Sequence, residues 1–350
     1  MQAIMTRAET KEIEQPEESY SALYGKLKRR MKAAGLLDLQ PAYYAYKLTE
    51  PLVMLAVGVA ILFLANTFAI QLLAVLVLAP AYVLMGLVMH DAGHRQIFAT
   101  PRQNDVVGLI YANLLLGTSI SSWRTRHNEH HAHPNELDVD PTLEIPLWAW
   151  VTDQIEERKG LMRWVLRYQA YTFFPVLSLS GFFQSVAALR SVIVEKDMEY
   201  RFIQALALVV HFALYFGLLF YVMVWWQALI FFVIHFLITG LHLGLIFAPN
   251  HKGMPIVDPD HQMDFLYLQC LTSRNVRPSR AIDYLYGGLN YQIEHHLFPS
   301  MPRNNLSQAR VICKAFCKEH NIPYYETGVI QSYREILTYM NDLGTHAAAS

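Results

Sequence analysis

PLVMLAVGVAILFLANTFAIQLLAVLVLAPAYVLMGLVMH, residues 51–90, contains no Asp, Glu, Lys or Arg. It is about twice as long as the roughly 20 apolar residues that carry a helix across a bilayer. With Asn66-Thr67 near its centre as a turn, it reads as a helical hairpin that crosses a membrane and returns. Residues 202–250 form a second stretch without a formal charge, with Trp225-Trp226-Gln227 near its middle, and paired Trp residues suit a membrane interface. The expected fold is an all-α integral membrane protein with four transmembrane helices in two hairpins and a cytosolic helical cap. Its segments are a cytosolic N-terminal stretch (1–42), a first hairpin (43–90), a cytosolic or interfacial segment (91–201), a second hairpin (202–250) and a cytosolic C-terminal segment (251–350). Together they make one catalytic domain.

All 28 Lys and Arg fall outside the two charge-free stretches. Basic residues mark the cytoplasmic side, so both termini and the middle segment are expected there. Only 16% of residues are charged and 53% are hydrophobic, against about 25% charged in soluble domains. The net charge of −1 gives no footprint for nucleic acid. No signal peptide is expected, because residues 1–21 are polar; residues 1–20 are expected to be disordered, and residues 21–34 to form a basic, solvated helix near lipid headgroups. Cys270, Cys313 and Cys317 are expected to be reduced structural thiols.

Several local features are expected within this frame. The first membrane helix should start near Tyr43, with Lys47 snorkelling. Pro80 should kink the second helix, and Pro249 should close the fourth. Two further apolar runs, residues 106–120 and 168–189, are read as interfacial or buried helices that do not span. Only then can the histidine clusters described next meet on one side.

Those clusters are His90-Asp91-Ala92-Gly93-His94, His127-Asn128-Glu129-His130-His131 and Gln292-Ile293-Glu294-His295-His296. Residues three and four apart share a helix face, so each cluster converges as metal ligands would. With His251 at the end of the fourth helix, eight imidazoles are available. One tetrahedral zinc needs four ligands, so eight suggest two metal ions. A dinuclear site at a membrane face suits oxygen chemistry on a lipid chain, and zinc has no redox chemistry, which leaves iron as the leading metal. Lone histidines elsewhere are read as structural. His235 and His242, seven apart on the fourth helix, are read as interhelical hydrogen-bonding groups.

The three boxes resemble the HxxxH, HxxHH and [HQ]xxHH motifs of the membrane-bound fatty acid desaturases. His130-His131-Ala132-His133-Pro134-Asn135, the run from Asp138 to Pro141, and Gly287-Gly288-Leu289-Asn290-Tyr291 leading to Leu297-Phe298-Pro299 resemble them too. The resemblance covers roughly residues 45–320, and Gln292 resembles the QxxHH subgroup. It implies O2-dependent insertion of a cis double bond into a lipid acyl chain at a di-iron centre. It implies as iron ligands His90, His94, His127, His130, His131, His251, His295 and His296. Gln292 is implied as a ninth ligand or a partner of one, Asn250 as a holder of a metal-bound water, and Asp91, Glu129, Glu294, Asp138 and Asp140 as acceptors for imidazole N–H groups.

The chain lacks a His-Pro-Gly-Gly haem motif, a flavin or nicotinamide glycine fingerprint and the cysteines of an iron–sulfur cluster. Electrons are therefore expected from a separate ferredoxin or flavin/iron–sulfur reductase, with Arg95, Arg102, Arg124 and Arg126 as docking candidates for a donor or an acyl carrier. The acyl substrate is expected as an acyl-CoA, acyl-carrier or glycerolipid ester, and the setting as a bacterial inner membrane. A related di-iron lipid hydroxylase, ketolase or epoxygenase is the alternative. A membrane zinc hydrolase or a metal transporter ranks behind it.

Overall fold

The computed structural model describes residues 18–349. The expected disorder at residues 1–20 and the polar N-terminus lie outside the described residues, apart from residues 18–20. There Ser19 caps helix Tyr20–Ala33 by accepting from the Ala22 N–H. This helix carries the basic stretch, yet it buries Tyr20, Leu23, Leu27 and Met31. That three-and-four spacing is a core-facing stripe, not a wholly solvated surface.

Among the described residues four helices are long and apolar enough to cross a membrane: Pro41–Leu64, Phe68–Gly93, Arg201–Val222 and Trp225–His251. Their outward faces are apolar, with Val57, Leu64, Leu206 and Leu214 exposed, as expected where the solvent is lipid. Three local expectations change. Lys47 does not snorkel alone: its ammonium pairs with Glu50 at 2.8 Å, which offsets the cost of a single charge near a bilayer.

The second helix breaks at Ala74, giving Phe68–Leu73 and Val75–Gly93, and continues unbroken through Pro80. At the break the Ala74 N–H reaches back to the Gln71 carbonyl, three residues away instead of four. The Gln71 amide donates to the carbonyls of Leu62 and Val222, the latter at 3.0 Å. One side chain thus satisfies carbonyls at the ends of two other helices.

Pro249 does not close the fourth helix, which runs on to His251. Proline removes a donor but leaves the carbonyls beyond it to be satisfied. Arg274 does this: its Nε donates to the Pro249 carbonyl at 2.7 Å and its Nη2 to the Lys252 carbonyl at 2.8 Å. Glu335 balances the buried guanidinium at 2.8 Å. The second hairpin turns at Met223-Val224, just before the Trp pair.

The two shorter apolar runs are bent. Pro101–Leu116 ends in a π-helical stretch, Leu109–Leu116, and turns by 110° into Ile120–Ala132; Gln169–Ser178 and Ser180–Val194 meet at 61°. Gly117 makes the first turn at φ +69°, where a Cβ would lie 2.5 Å from the His211 ring. The backbone and hydroxyls freed by that turn find buried amides. Asn113 Nδ2 and Ser119 Oγ donate to Gln204 Oε1 at 3.0 and 2.8 Å, and Gln204 Nε2 donates to Ser121 Oγ.

The chain divides into two compact units. One comprises residues 18–38, 126–174 and 246–349. Its main core packs Leu23, Leu27 and Met31 with Leu266, Ile293, Leu297, Cys313 and Phe316. Two three-residue strands, Arg274–Val276 and Tyr325–Thr327, pair in parallel there, with Asn275 opposite Glu326. All three cysteines are free and buried.

The other unit comprises residues 39–125 and 175–245. Its cores gather Tyr44, Tyr82, Met85, Val88 and Tyr111, and Leu62, Leu78, Leu219 and Phe231. Close backbone approach replaces side-chain bulk at Gly240, where a Cβ would lie 2.2 Å from the Ser178 carbonyl oxygen. Small residues serve helix packing in membranes in this way.

Candidate metal centre

In the first unit the histidines of the second and third boxes come together with His251. His130, His251 and His296 each offer a ring nitrogen, and these three atoms lie within 4.8 Å of one another. His127, His131 and His295 do the same. The rings of His131 and His296 stack with centroids 4.1 Å apart, so the two trios adjoin. His130, His251, His295 and His296 are almost fully buried.

The local fold aims these rings through their Nδ1 atoms. Helix Ile120–Ala132 ends just past His131, and the chain then reverses through Asn135 at φ +56° and Asp138 at φ +62°. Asn and Asp tolerate this left-handed region better than other side chains. The reversal returns Asp140 to its own box: one carboxylate oxygen lies 2.9 Å from His130 Nδ1 and accepts from the Asn135 amide at 2.8 Å, and the other accepts from the Thr142 amide at 2.9 Å. Burial works to raise the Asp140 carboxyl. His130, the nearby Lys252 ammonium and the Thr142 amide outweigh it and hold the carboxyl well below the ordinary range. Burial in turn pulls Lys252 down to about 8, with Asp140 opposing.

Helix Phe265–Thr272 supplies two more acceptors. His251 Nδ1 lies 3.0 Å from the Thr272 carbonyl, and His296 Nδ1 lies 2.7 Å from Gln269 Oε1. Gln269 Nε2 donates to the His131 carbonyl at 2.9 Å, which fixes the amide's orientation. A carbonyl oxygen only accepts, so both Nδ1 atoms carry the proton.

The Nε2 atoms of His251 and His296 then both present lone pairs, and they face each other at 3.0 Å, with the Gln292 amide nitrogen also 2.9 Å from that of His251. Two lone pairs at that distance repel unless a cation sits against both. A proton could link two rings. A third imidazole in the same buried group, His130, calls for a metal instead. Nitrogens bound to one ion at about 2.0–2.1 Å lie about 3–4 Å apart, so the donor set fits a metal ion.

The other sequence-selected residues fall as follows. Asn250 Nδ2 donates to Gln292 Oε1 at 2.9 Å, and Gln292 Nε2 lies 2.9 Å from His251 Nε2; both amides are buried against a ligand candidate. Glu294 accepts from Asn275 Nδ2 and from the Tyr324 hydroxyl, each at 2.8 Å, so it ties its helix to the strand pair. Burial raises its carboxyl, against those two donors. Glu129 and Asp138 are exposed. His133 lies 2.7 Å from Glu136.

In the second unit the rings of His90 and His94 sit with centroids 4.7 Å apart. Asp91 Oδ1 lies 3.4 Å from His90 Nδ1, and Trp123 packs against both rings. Gly93 makes room for that indole: a Cβ there would lie 2.4 Å from Trp123 Cζ3. Of the docking candidates, Arg124 is held by Asp105 at 2.6 Å, whereas Arg95, Arg102 and Arg126 are exposed. Sequence spacing assigned no role to Gly93, Trp123, Gln269 or Thr272. Their partners are distant in the chain or are backbone atoms.

Comparison with known proteins agrees with this chemistry. The fatty acid desaturase family model matches residues 66–328. A Delta(8)-fatty-acid desaturase of Euglena gracilis is 32% identical over 86% of this chain and 74% of its own length. Caenorhabditis elegans has a Delta(6)-fatty-acid desaturase 30% identical over 93% of this chain and 76% of its own. It also has a Delta(5) fatty acid desaturase 31% identical over 89% and 72%. The chain belongs to the fatty acid desaturase family, membrane oxidoreductases that act on fatty acyl chains.

Proposed function

We propose that the protein inserts a cis double bond into a lipid acyl chain, using dioxygen at a di-iron centre and electrons from a separate donor protein. The balance is –CH2–CH2– + O2 + 2 electrons + 2 protons → –CH=CH– + 2 H2O. The proposed iron ligands are His90, His94, His127, His130, His131, His251, His295 and His296. When bound, the iron supplies the redox chemistry that reduces dioxygen and removes the two hydrogens. The carrying observation is the pair of opposed Nε2 lone pairs of His251 and His296, 3.0 Å apart beside buried His130 in a desaturase-family chain.

The protein's own groups prepare that chemistry. Asp140, Gln269 and the Thr272 carbonyl hold the Nδ1 protons, so each ring keeps its Nε2 lone pair outward. Burial excludes bulk water from the imidazoles of box three and so limits side reactions of an oxidising site. The distribution of basic residues supports a cytoplasmic active site and cytoplasmic termini. A ferredoxin or a flavin/iron–sulfur reductase fits as donor, because the chain carries no redox-cofactor motif of its own.

The test is fatty acid profiling by gas chromatography–mass spectrometry, with double-bond location, and metal analysis of the purified protein. The protein is co-expressed with a ferredoxin and its reductase in a host fed defined acyl chains, with His295→Ala as control. The expected result is a new cis-unsaturated acyl chain absent from the control, with two iron ions per chain. A hydroxylated or epoxidised product would replace the reaction class, and zinc without iron would remove the oxidase reading.

A further inference from the structure

We infer that Gln269 is the positioning residue that sets the tautomer of His296 and couples box three to box two. This deepens, and rests on, the metal-centre reading above. Gln269 is fully buried on helix Phe265–Thr272. Both ends of its amide are used. Oε1 lies 2.7 Å from His296 Nδ1, and Nε2 donates to the His131 carbonyl at 2.9 Å.

The donation to a carbonyl is what makes the other end decisive. Because Nε2 must face His131, Oε1 must face His296, and an acceptor there requires the proton on Nδ1. His296 Nε2 is left unprotonated, facing His251 Nε2. Without the acceptor, a neutral imidazole is free to carry its proton on Nε2, where it would block the metal. The same amide anchors the carbonyl of His131, whose ring stacks on His296. One side chain thus aligns members of both trios.

The acceptors within the first trio also differ in charge. His130 has the Asp140 carboxylate, whereas His296 has a neutral amide and His251 a backbone carbonyl. A carboxylate partner makes an imidazole a stronger donor than an amide partner does. Gln269 therefore supplies direction to His296 without adding a second buried negative charge.

The experiment compares wild-type protein with Gln269→Leu, which fills similar space but neither accepts nor donates. Metal-stripped protein is titrated with ferrous iron under anaerobic conditions against a chromogenic chelator. The affinity for the iron held by His296 is expected to fall by about 10–100-fold, the usual effect of losing a ligand's orienting partner. Unchanged affinity in a folded Gln269→Leu protein overturns the inference while leaving the metal centre intact. Wild-type protein that takes up no iron overturns the metal centre itself, and the inference with it.

Should Gln269→Leu fail to fold, the wild type alone decides. In metal-free protein labelled with 15N-histidine, the His296 signals, identified by their loss in His296→Ala, are expected to show a protonated Nδ1 and an unprotonated Nε2. A protonated Nε2 there overturns the assignment.

Discussion

Two groups of buried imidazoles in this molecule are anchored alike and differ in what their far side meets. In the first unit, His130, His251 and His296 give Nδ1 to Asp140, the Thr272 carbonyl and Gln269. In the second unit, His211 places Nδ1 3.0 Å from the Leu114 carbonyl and His235 places it 2.9 Å from the Tyr215 hydroxyl. Beyond those anchors the environments part. The first group presents nitrogen to nitrogen at 3.0 Å. His235 lies edge-on to the ring of Tyr82, with centroids 4.5 Å apart, and His211 stacks on Tyr215 at 6.1 Å. An orienting hydrogen bond at Nδ1 is therefore common to structural and metal-binding histidines, and the convergence of several ring nitrogens is what marks a site.

That contrast breaks most decisively at His251. His251→Ala is expected to abolish desaturation and to lower the iron content, because it removes one of the two facing nitrogens. A variant with full iron and full activity would mean that the opposed lone pairs are a packing accident. Asp140→Asn comes next. It keeps one acceptor oxygen but loses the charge that serves His130 and the Asn135 and Thr142 amides. The expected loss is about 10–100-fold in metal affinity or turnover, read by iron retention after dialysis against a chelator. Wild-type retention would show that His130 needs no anionic partner.

The charge-free stretches made the membrane helices legible, because lipid excludes charge and leaves long unbroken runs. Helix ends were harder to read. Pro249 is a helix stop in isolation, yet the helix continues to His251, where Arg274 from a later strand donates to the Pro249 and Lys252 carbonyls and Asn135 to the His251 carbonyl. The break at Ala74 likewise has no local signature, and Gln71 beside it makes a long-range bond to the Val222 carbonyl. The box histidines were legible because helical spacing alone gathers them. Their partners were legible only where the chain turns back at once, as at Asp140. Gln269 and Thr272 reach their histidines through tertiary packing, and no periodicity encodes that. Glu294 shows the converse: it sits inside a box yet serves Asn275 and Tyr324.

The helical frame around His235 can be tested apart from the chemistry. At Gly240 a Cβ would lie 2.2 Å from the Ser178 carbonyl oxygen and 3.1 Å from the Gly181 amide nitrogen. Both neighbours are backbone atoms that cannot rotate away. Gly240→Ala is therefore expected to push these helices apart at a cost of about 1–3 kcal/mol, seen as a lower thermal midpoint in detergent. Iron bound per folded chain should be unchanged. A variant as stable as the wild type would mean that the close approach is not needed.

The smallest effect on function is expected at His235, and it sharpens the contrast most. Phenylalanine is close in shape to imidazole and suits the aromatic surroundings of Tyr82, Phe231 and Phe236. His235→Phe removes the bond between its ring and Tyr215, whose hydroxyl is left without that partner in an apolar interior. Such a loss costs about 1–3 kcal/mol. Iron content and product should stay as in the wild type, because nothing about His235 points toward a shared lone-pair site. A metal-transport reading predicts the opposite, since it would place ligands within the membrane spans. Loss of metal in His235→Phe, with retention in His251→Ala, would therefore invert the assignment of the two regions. The same pair of variants thus tests both the site and its rival.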